Sequence, residues 1–429
     1  MRRTVGRWLV VVACGFLPLA PLSAQDELEG SSPGGAPASP EGSAFPIGIV
    51  FSSVVGHATA DVPGLPGAHF TGFDRPFGSP NGNWILSADT DLPTTTDELI
   101  LVNGAVVGQE GTAAPWAPGE NFGTIDQKLG INDAGEWVFA TNVAPSTVND
   151  DFIVRFSGGS FTAIAQEGQP IPALPPAIYD DSIDTAVITS SGTVGLSADG
   201  IDGGPPTTQD EILVLGSTLI AQEGVTVPTG QLGSEFWDNF DTDDFFVSAD
   251  GTHWMANGDL TGSTTSDDVT VVDGAVVVQE DVILPGSGFA NPVDGSGIVG
   301  IWMAANGDWF VRGNNDTTEQ DWIYRNGVVI ATLGAPIYTG ASEVWSDVDF
   351  ADCFFFHVAD SNGHYVLGGV TDGPSTANGV LVLDGTTEVV REGDFVDLNG
   401  NGLPDDDAFF NTFGNDDGVL TDAGLFYFV

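Results

Sequence analysis

The chain has 429 residues, with 60 acidic against 9 basic side chains, a formal net charge of −51, and 41% hydrophobic and 10% aromatic content. Such a negative field excludes nucleic acid and anionic lipid as partners and favours cations or basic surfaces. The apolar content excludes a disordered acidic tail, so the acids belong on loops and outer faces around a packed core.

Arg2, Arg3 and Arg7 precede an apolar run over 8–19, and Leu22, Ser23 and Ala24 precede Gln25. This is the layout of a secretory signal peptide over residues 1–24. A lipoprotein-type box ending at Cys14 is the competing reading, but it leaves only about six apolar residues before the cut, short for a leader. Removing the leader takes three of the basic residues and none of the acids. Cys353 then stands alone among aromatics and reads as a small buried apolar residue, with no disulfide framework. No later run reaches the roughly 18 apolar residues that a spanning helix needs, so a secreted or surface-attached chain, extracellular or periplasmic, is expected. Residues 25–44, rich in Gly, Pro, Ser and Glu, read as a flexible linker ahead of one repeat domain over 45–429.

From Phe45 onward the chain repeats. A turn glycine recurs at Gly82, Gly135, Gly192, Gly251, Gly307, Gly363 and Gly424, with gaps of 53, 57, 59, 56, 56 and 61 residues. That period suits a propeller blade or another repeat array. Two positions later stand Trp84, Trp137, Val194, His253, Trp309, Tyr365 and Phe426, and a further apolar residue follows two positions on. Alternation of this kind marks a strand with one buried face. His253 in this series reads as a packed, hydrogen-bonded core histidine.

A second element is a hairpin with a small-residue turn at Asn103-Gly104, Gly158-Gly159, Gly216-Ser217, Asp273-Gly274, Asn326-Gly327 and Asp384-Gly385. Such pairs reach positive φ easily and match strand twist. The spacing predicts strands over 98–102 with 105–109, and over 322–325 with 328–332. Units then end in a Gln-Glu-Gly-like step, as at Gln109-Glu110-Gly111, Gln166-Glu167-Gly168, Gln222-Glu223-Gly224, Gln279-Glu280-Asp281 and Arg391-Glu392-Gly393.

Four short strands per unit is the make-up of a propeller blade. Residues 47–65 resemble the hairpin half of a unit, and 418–429 its front half. Six whole units and two complementary halves predict an all-β, seven-bladed propeller whose final strand pairs near Val50, hiding both sheet edges. An open array of β-repeats is the alternative.

Asn132, Gly135 and Phe139 carry the pattern of the bacterial extracellular NxxGxxxF tandem-repeat proteins, which the chain resembles over nearly its whole mature length. The Asn is replaced by Ser79, Thr189, Ser248, Ala304, Asp360 and Thr421 in the other units, and Phe recurs only at Phe428. The resemblance implies a secreted repeat protein of unknown activity. That family often adds a C-terminal sorting anchor, which this chain is expected to lack.

The strongest local motif places Asp397, Asn399, Asn401 and Asp405 at positions one, three, five and nine of a loop with Gly402 at six. This follows the ligand plan of a calcium loop, with the Leu403 carbonyl at seven. Position twelve is Ala408, so Asp406 or Asp407 would replace the usual Glu; a plain acidic turn is the competing reading. Loops over 93–98, 206–211, 263–268 and 316–321 share Thr and Asp and fall on one rim. They read as a possible ring for cations or sugars, or as a solvated edge satisfying its own turns.

The Gln-Glu-Gly steps recur too regularly for catalysis, which needs residues that break the symmetry. His57, His69, His253, His357 and His364 show no close metal spacing. Asp238, Asp241, Asp243 and Asp244 are the acids without sister-blade counterparts, and read as a solvated turn or a second cation loop. The expected function is a monomeric, calcium-stabilised binding or scaffold module for a glycan, a protein or the cell envelope. A calcium-assisted hydrolase or lyase acting on an extracellular polysaccharide is the alternative.

Overall fold

The computed structural model describes residues 8–13, 47–53, 58–180, 182–241, 244–315, 320–347, 352–396, 408–414 and 418–429, of which 8–13, 58, 126–127 and 408 are described by backbone alone. These residues form an all-β propeller arrangement, and the described helix is limited to one 3-10 turn, Ala58–Ala60.

Six blades are four-stranded antiparallel sheets whose strands follow chain order from the axis outward. Blade one holds Phe70–Phe73, Trp84–Thr90, Glu98–Val102 and Ala105–Gln109, with Phe77–Gly78 also paired to its second strand. Blade two spans 121–166, blade three 183–222, blade four 245–279, blade five 293–332 and blade six 354–391. The predicted strands over 98–109 and 322–332 form as read, because alternating apolar residues flank turns whose first residues sit at positive φ: Asn103 at 48° and Asn326 at 46°. In blade six the loop takes in a third residue, since Leu383 pairs with Thr387 and Thr386 N–H donates to the Leu383 carbonyl.

A further sheet runs in the order Gly418–Leu420, Leu425–Phe428, Trp8–Ala13, Ile47–Ser52. The final strand therefore does not pair with the strand near Val50. Val10 faces Phe428, and Val10 also faces Ile49, so one strand lies between them. The physical reason is the run of three valines in Trp8–Ala13, which suits a strand on the edge of Leu425–Phe428. This sheet packs on both sides: Phe426 and Phe428 share a core with blades five and six, while Val419 and Tyr427 share one with blade one. The Tyr427 ring lies 5.6 Å from Trp84, and the Phe426 ring 5.6 Å from Phe356.

The recurring Asn-type turn has a local cause. Asn132 Oδ1 accepts the N–H groups of Ala134 and Glu136, and Asp360 Oδ1 those of Asn362 and His364. Thr189, Ser248 and Thr421 do the same with a hydroxyl, accepting from Thr193, His253 and Leu425. A short oxygen-bearing side chain at the first position thus caps five of these turns, while beside Ser79 and Ala304 the cap comes from two residues on, Asn81 Oδ1 accepting Asn83 N–H and Asn306 Oδ1 accepting Asp308 N–H.

These turns are also tied to one another. Asn81 N–H donates to Asp133 Oδ1, and Asn132 Nδ2 to the Thr189 carbonyl. Ser190 N–H then donates to the Ala249 carbonyl and Ala249 N–H to that of Ala305. Asn306 Nδ2 donates to the Ser361 carbonyl, Ser361 N–H to Asp422 Oδ1, and Asp422 N–H to the Pro80 carbonyl, which returns to the starting turn.

His253 departs from its expected role. An extra residue in its turn shifts the register, so Trp254 fills the aromatic slot, its N–H donating to Asp273 Oδ1 as Trp309 N–H does to Asn326 Oδ1. The His253 side chain is 47% exposed, and its Nδ1 lies 2.7 Å from Asp273 Oδ2. Cys353, by contrast, is free and fully buried, as its aromatic surroundings suggest.

The Gln-Glu-Gly steps prove to be structural fasteners, the glutamine bracing its own blade and the glycine holding the segment that leads into the next. Gln109, Gln166, Gln222 and Gln279 donate their side-chain amides to the carbonyls of Thr96, Asn149, Gln209 and Ser266. The N–H of Gly111, Gly168, Gly224 and Gly393 donates forward to Phe122, Tyr179, Trp237 and Phe410. Gly224 has φ +61°, and a Cβ there would lie 2.2 Å from the Thr208 carbonyl. Gly224→Ala is thus expected to destabilise the domain by at least about 2 kcal/mol. The companion Asp281→Gly, at φ 58°, should be neutral or stabilising in the same urea titration.

Candidate functional site

The blade architecture creates two ends. The capped turns and hairpin tips share one face; the second-to-third-strand loops and the Gln-Glu-Gly steps share the other. Inner-strand residues from all six blades and from Gly418–Leu420 line an axial cavity of about 130 Å³. Phe77, Phe246, Trp302 and Val419 contribute its apolar wall, with Asn132, Asp133, Asp360 and Asp422 at the turn end. The Arg75 guanidinium of blade one lies 4.8 Å from the Trp302 ring centroid of blade five, a cation–π contact that spans the axis. At this size the axis is filled mostly by side chains, well short of the 300 Å³ or so at which small-ligand sites begin.

The loop face carries the carboxylates. At the head of the third strand, Glu98 Oε2 accepts Ile125 N–H, Glu211 Oε2 accepts Phe240 N–H, and Asp321 Oδ2 accepts Cys353 N–H, each from the next blade. The step glutamates approach the same corner: Glu167 accepts Asp150 N–H, Glu223 accepts Asp210 N–H, and Glu392 accepts Gly379 N–H. Burial pushes Glu211 and Glu223 up to about 7, and Asp268 up to about 7 with help from Asp241 and Asp259. Burial also raises Glu98, Glu110 and Glu280. Glu98 and Glu211 thus fasten one blade to the next and Glu223 braces its own, each at the cost of desolvation. In blade two, ligand oxygens of Asp150, Asp151 and Glu167 lie within 4.8 Å of one another, close enough to share a cation.

Three of the Thr- and Asp-bearing rim loops satisfy their own turns, and residues 316–319 of the fourth lie outside the described residues. Thr96 N–H and Oγ1 donate to the Pro93 carbonyl, Gln209 N–H to Pro206, and Ser266 N–H to Ser263. The proposed calcium ligands Asp397, Asn399, Asn401, Leu403, Asp405 and Asp407 lie outside the described residues, as do His57 and Asp243. Of the blade-four acids, Asp241 Oδ2 accepts Asn257 Nδ2 at 2.7 Å, and the same amide reaches Asp268 Oδ1 at 3.3 Å. Asp241 is therefore part of a structural network with Asn257 and Thr270, whereas Asp238 meets blade four through its backbone N–H and the Asp259 carbonyl.

A second cavity, of about 460 Å³, opens on the loop face between blades five and six and residues 411–413. Arg312, Asp352, Asn378, Glu392, Asn411 and Thr412 give it polar walls, with Phe354, Phe355 and Phe413 beside them. The sequence reading overlooked this site. Its signal was present: Arg312 and Gly379 each interrupt a pattern kept by the sister blades.

Residues 102–272 match DUF7453, a family of unknown function. No protein with a curated description matches the chain. Among solved structures, hydrazine synthase of Kuenenia stuttgartiensis is 11% identical over 85% of this chain and 94% of its own, with a TM-score of 0.40. Prolyl oligopeptidase B of Galerina marginata is 12% identical over 82% of this chain but only 44% of its own, at 0.38. The Dos1 propeller is 11% identical over 80% and 75%, at 0.35. The propeller arrangement rests on the six blades described above, not on these distant likenesses.

Proposed function

We propose that this chain is an exported acidic propeller of seven blades that acts as a binding or scaffold module outside the cytoplasm, stabilised by calcium. The observation that carries the binding reading is the use made of the polar groups. Those that recur around the ring brace a blade or hold it to the next, and the one roomy loop-face cavity described lies where the blade pattern breaks. The seventh blade is supported by the packing of Phe426 and Tyr427 onto opposite neighbours and by the circle of turn hydrogen bonds. It is also supported by sequence register. Residues 47–63 align without gaps on 99–115, which matches Gly56 to Gly108 and Pro63 to Pro115. Ile47–Phe51 then belongs to the third-strand position, the place next to Leu425–Phe428 that Trp8–Ala13 takes in the full chain.

Export and the resemblance to NxxGxxxF repeat proteins point to the cell surface or extracellular space, and a glycan, protein or envelope component is the partner class. Calcium at Asp397, Asn399, Asn401, Leu403, Asp405 and Asp407 is tested by thermal unfolding of the chain from Gln25. Calcium should raise the midpoint in the parent, and less in Asp397→Ala with Asn399→Ala. An unmoved parent midpoint removes the metal from the scheme.

The competing reading is a calcium-assisted hydrolase or lyase on an extracellular polysaccharide. Asp268 favours it, since a carboxyl held near pH 7 beside Asp241 suits proton transfer. Release of reducing ends or unsaturated products from a polysaccharide panel, lost in Asp268→Asn, would establish that reading over the first.

A further inference from the structure

The loop-face cavity owes its existence to two departures from the blade pattern. The first is at the head of the third strand. Register places Gly379 opposite Val370, as Glu98 is opposite Asp89, Asp151 opposite Asn142 and Asp268 opposite Asp259. In blades one, three and five this carboxylate crosses to a backbone N–H of the next blade. Blade six has no side chain there, and Gly379 lines the cavity instead. A Cβ at Gly379 would lie 3.5 Å from Phe413 Cδ2 and 3.6 Å from Glu392 Cβ, ordinary contact distances, so the glycine is not required by crowding.

The second departure is Arg312. Its place in the second strand is taken by Ser87, Ala140, Ser197, Asn257 and Gly368 in the sister blades, as the pairing of each with the third strand shows. Arg312 is 5% exposed, and its Nη1 donates to the Phe354 carbonyl at 2.9 Å. Its Nη2 also reaches the Val299 carbonyl, so a buried guanidinium stands where the sister blades carry small or neutral side chains.

We propose that this cavity is a binding site for a neutral sugar, an inference that rests on the binding-module reading above and gives it a ligand class. Its volume lies inside the range of about 300–1,000 Å³ typical of small-ligand pockets. Carboxylates at Asp352 and Glu392 accept from ligand hydroxyls and the Asn411 amide both donates and accepts, with Asn378 and Arg312 beside them on the wall. The Phe355 and Phe413 rings, 6.0 Å apart and 12° from parallel, offer an apolar face to ring C–H groups. With two acids against one base on the wall of a chain carrying −51, anionic ligands are repelled, which sets neutral sugars apart from uronates.

The test is titration calorimetry of the chain from Gln25 with cellobiose, maltose and xylobiose, and with digalacturonate as the charged comparison. At least one neutral disaccharide should bind, and bind more tightly than digalacturonate. Gly379→Asp restores the side chain of the sister blades and fills the cavity, so it should keep the parent's unfolding midpoint and weaken binding at least tenfold. Arg312→Ser, compared at a temperature where it remains folded, should weaken it similarly. Undiminished binding in Gly379→Asp, or preference for digalacturonate, overturns the site. Failure of every neutral sugar also overturns it while leaving the binding-module reading standing on a protein or envelope partner; cleavage of a polysaccharide would instead overturn that reading.

Discussion

Removal of Gly424–Val429 is expected to unfold the whole domain rather than fray one end. The excised strand holds Phe426 at 0% exposure and Phe428 at 3%, packed with Phe356, Phe410 and Phe413, while Tyr427 packs against Trp84 on the other side. Loss of a buried large aromatic costs about 3–5 kcal/mol, so three together approach or exceed the 5–15 kcal/mol by which domains are stable. The deletion also bares the flanks of blades one and six against which this strand packs. Urea titration followed by near-ultraviolet circular dichroism should show no cooperative transition in the truncated chain. Phe426→Ala alone should retain a transition, moved down by about 3–5 kcal/mol. A truncated protein with an unchanged midpoint would refute the closed arrangement.

The second large effect is that stability should peak near pH 4.5–5 and decline toward pH 8. Glu211, Glu223 and Asp268 have their folded pKa raised to about 7, chiefly by burial. The folded state therefore holds these protons more tightly than the unfolded chain. Their contribution is fully present below the unfolded values near 4 and is lost as pH rises through 7. A shift of this size on Glu211 corresponds to roughly 1–3 kcal/mol once solvent screening is allowed for.

On the acid side the sign reverses. Glu136 is held down at about 2 by hydrogen bonds from Ser157, Asn132 and Arg155, and Asp250 at about 2 by Thr252 and Ser248. Their contribution exists above the unfolded values and disappears as pH falls toward 2. Scanning calorimetry at constant ionic strength between pH 3 and 9 measures both limbs. Glu211→Gln keeps an oxygen for Phe240 N–H and removes the charge, so it should melt higher than the parent at pH 8 and flatten the upper limb. Equal slopes in the two proteins would place the decline in the general field of −51 instead.

Much of the architecture was legible because it is local. Alternation after each turn glycine, the Asn-Gly and Asp-Gly hairpins and the Gln-Glu-Gly steps need only neighbouring residues to act, and the strands 98–109 and 322–332 formed where the pattern put them. Cys353 among aromatics was likewise buried as read. His253 was misplaced because counting from Gly251 could not reveal one extra residue in the turn; the pairing of Trp254 with Asp273 decides the register. The order of the last sheet could not be read either, since Trp8–Ala13 and Ile47–Ser52 compete for one edge of Leu425–Phe428 and the sequence carries no distance between them.

The composition and the period by themselves determined an acidic all-β repeat chain with its core on one face of each strand. Only the tertiary structure decided which carboxylates are desolvated, that Arg75 reaches Trp302 across the axis, and that Arg312 and Gly379 meet in one cavity 67 residues apart in the chain. The reason is physical: alternation and turn preference act within a few residues, whereas burial, pKa and cavity shape are set by which blade becomes the neighbour.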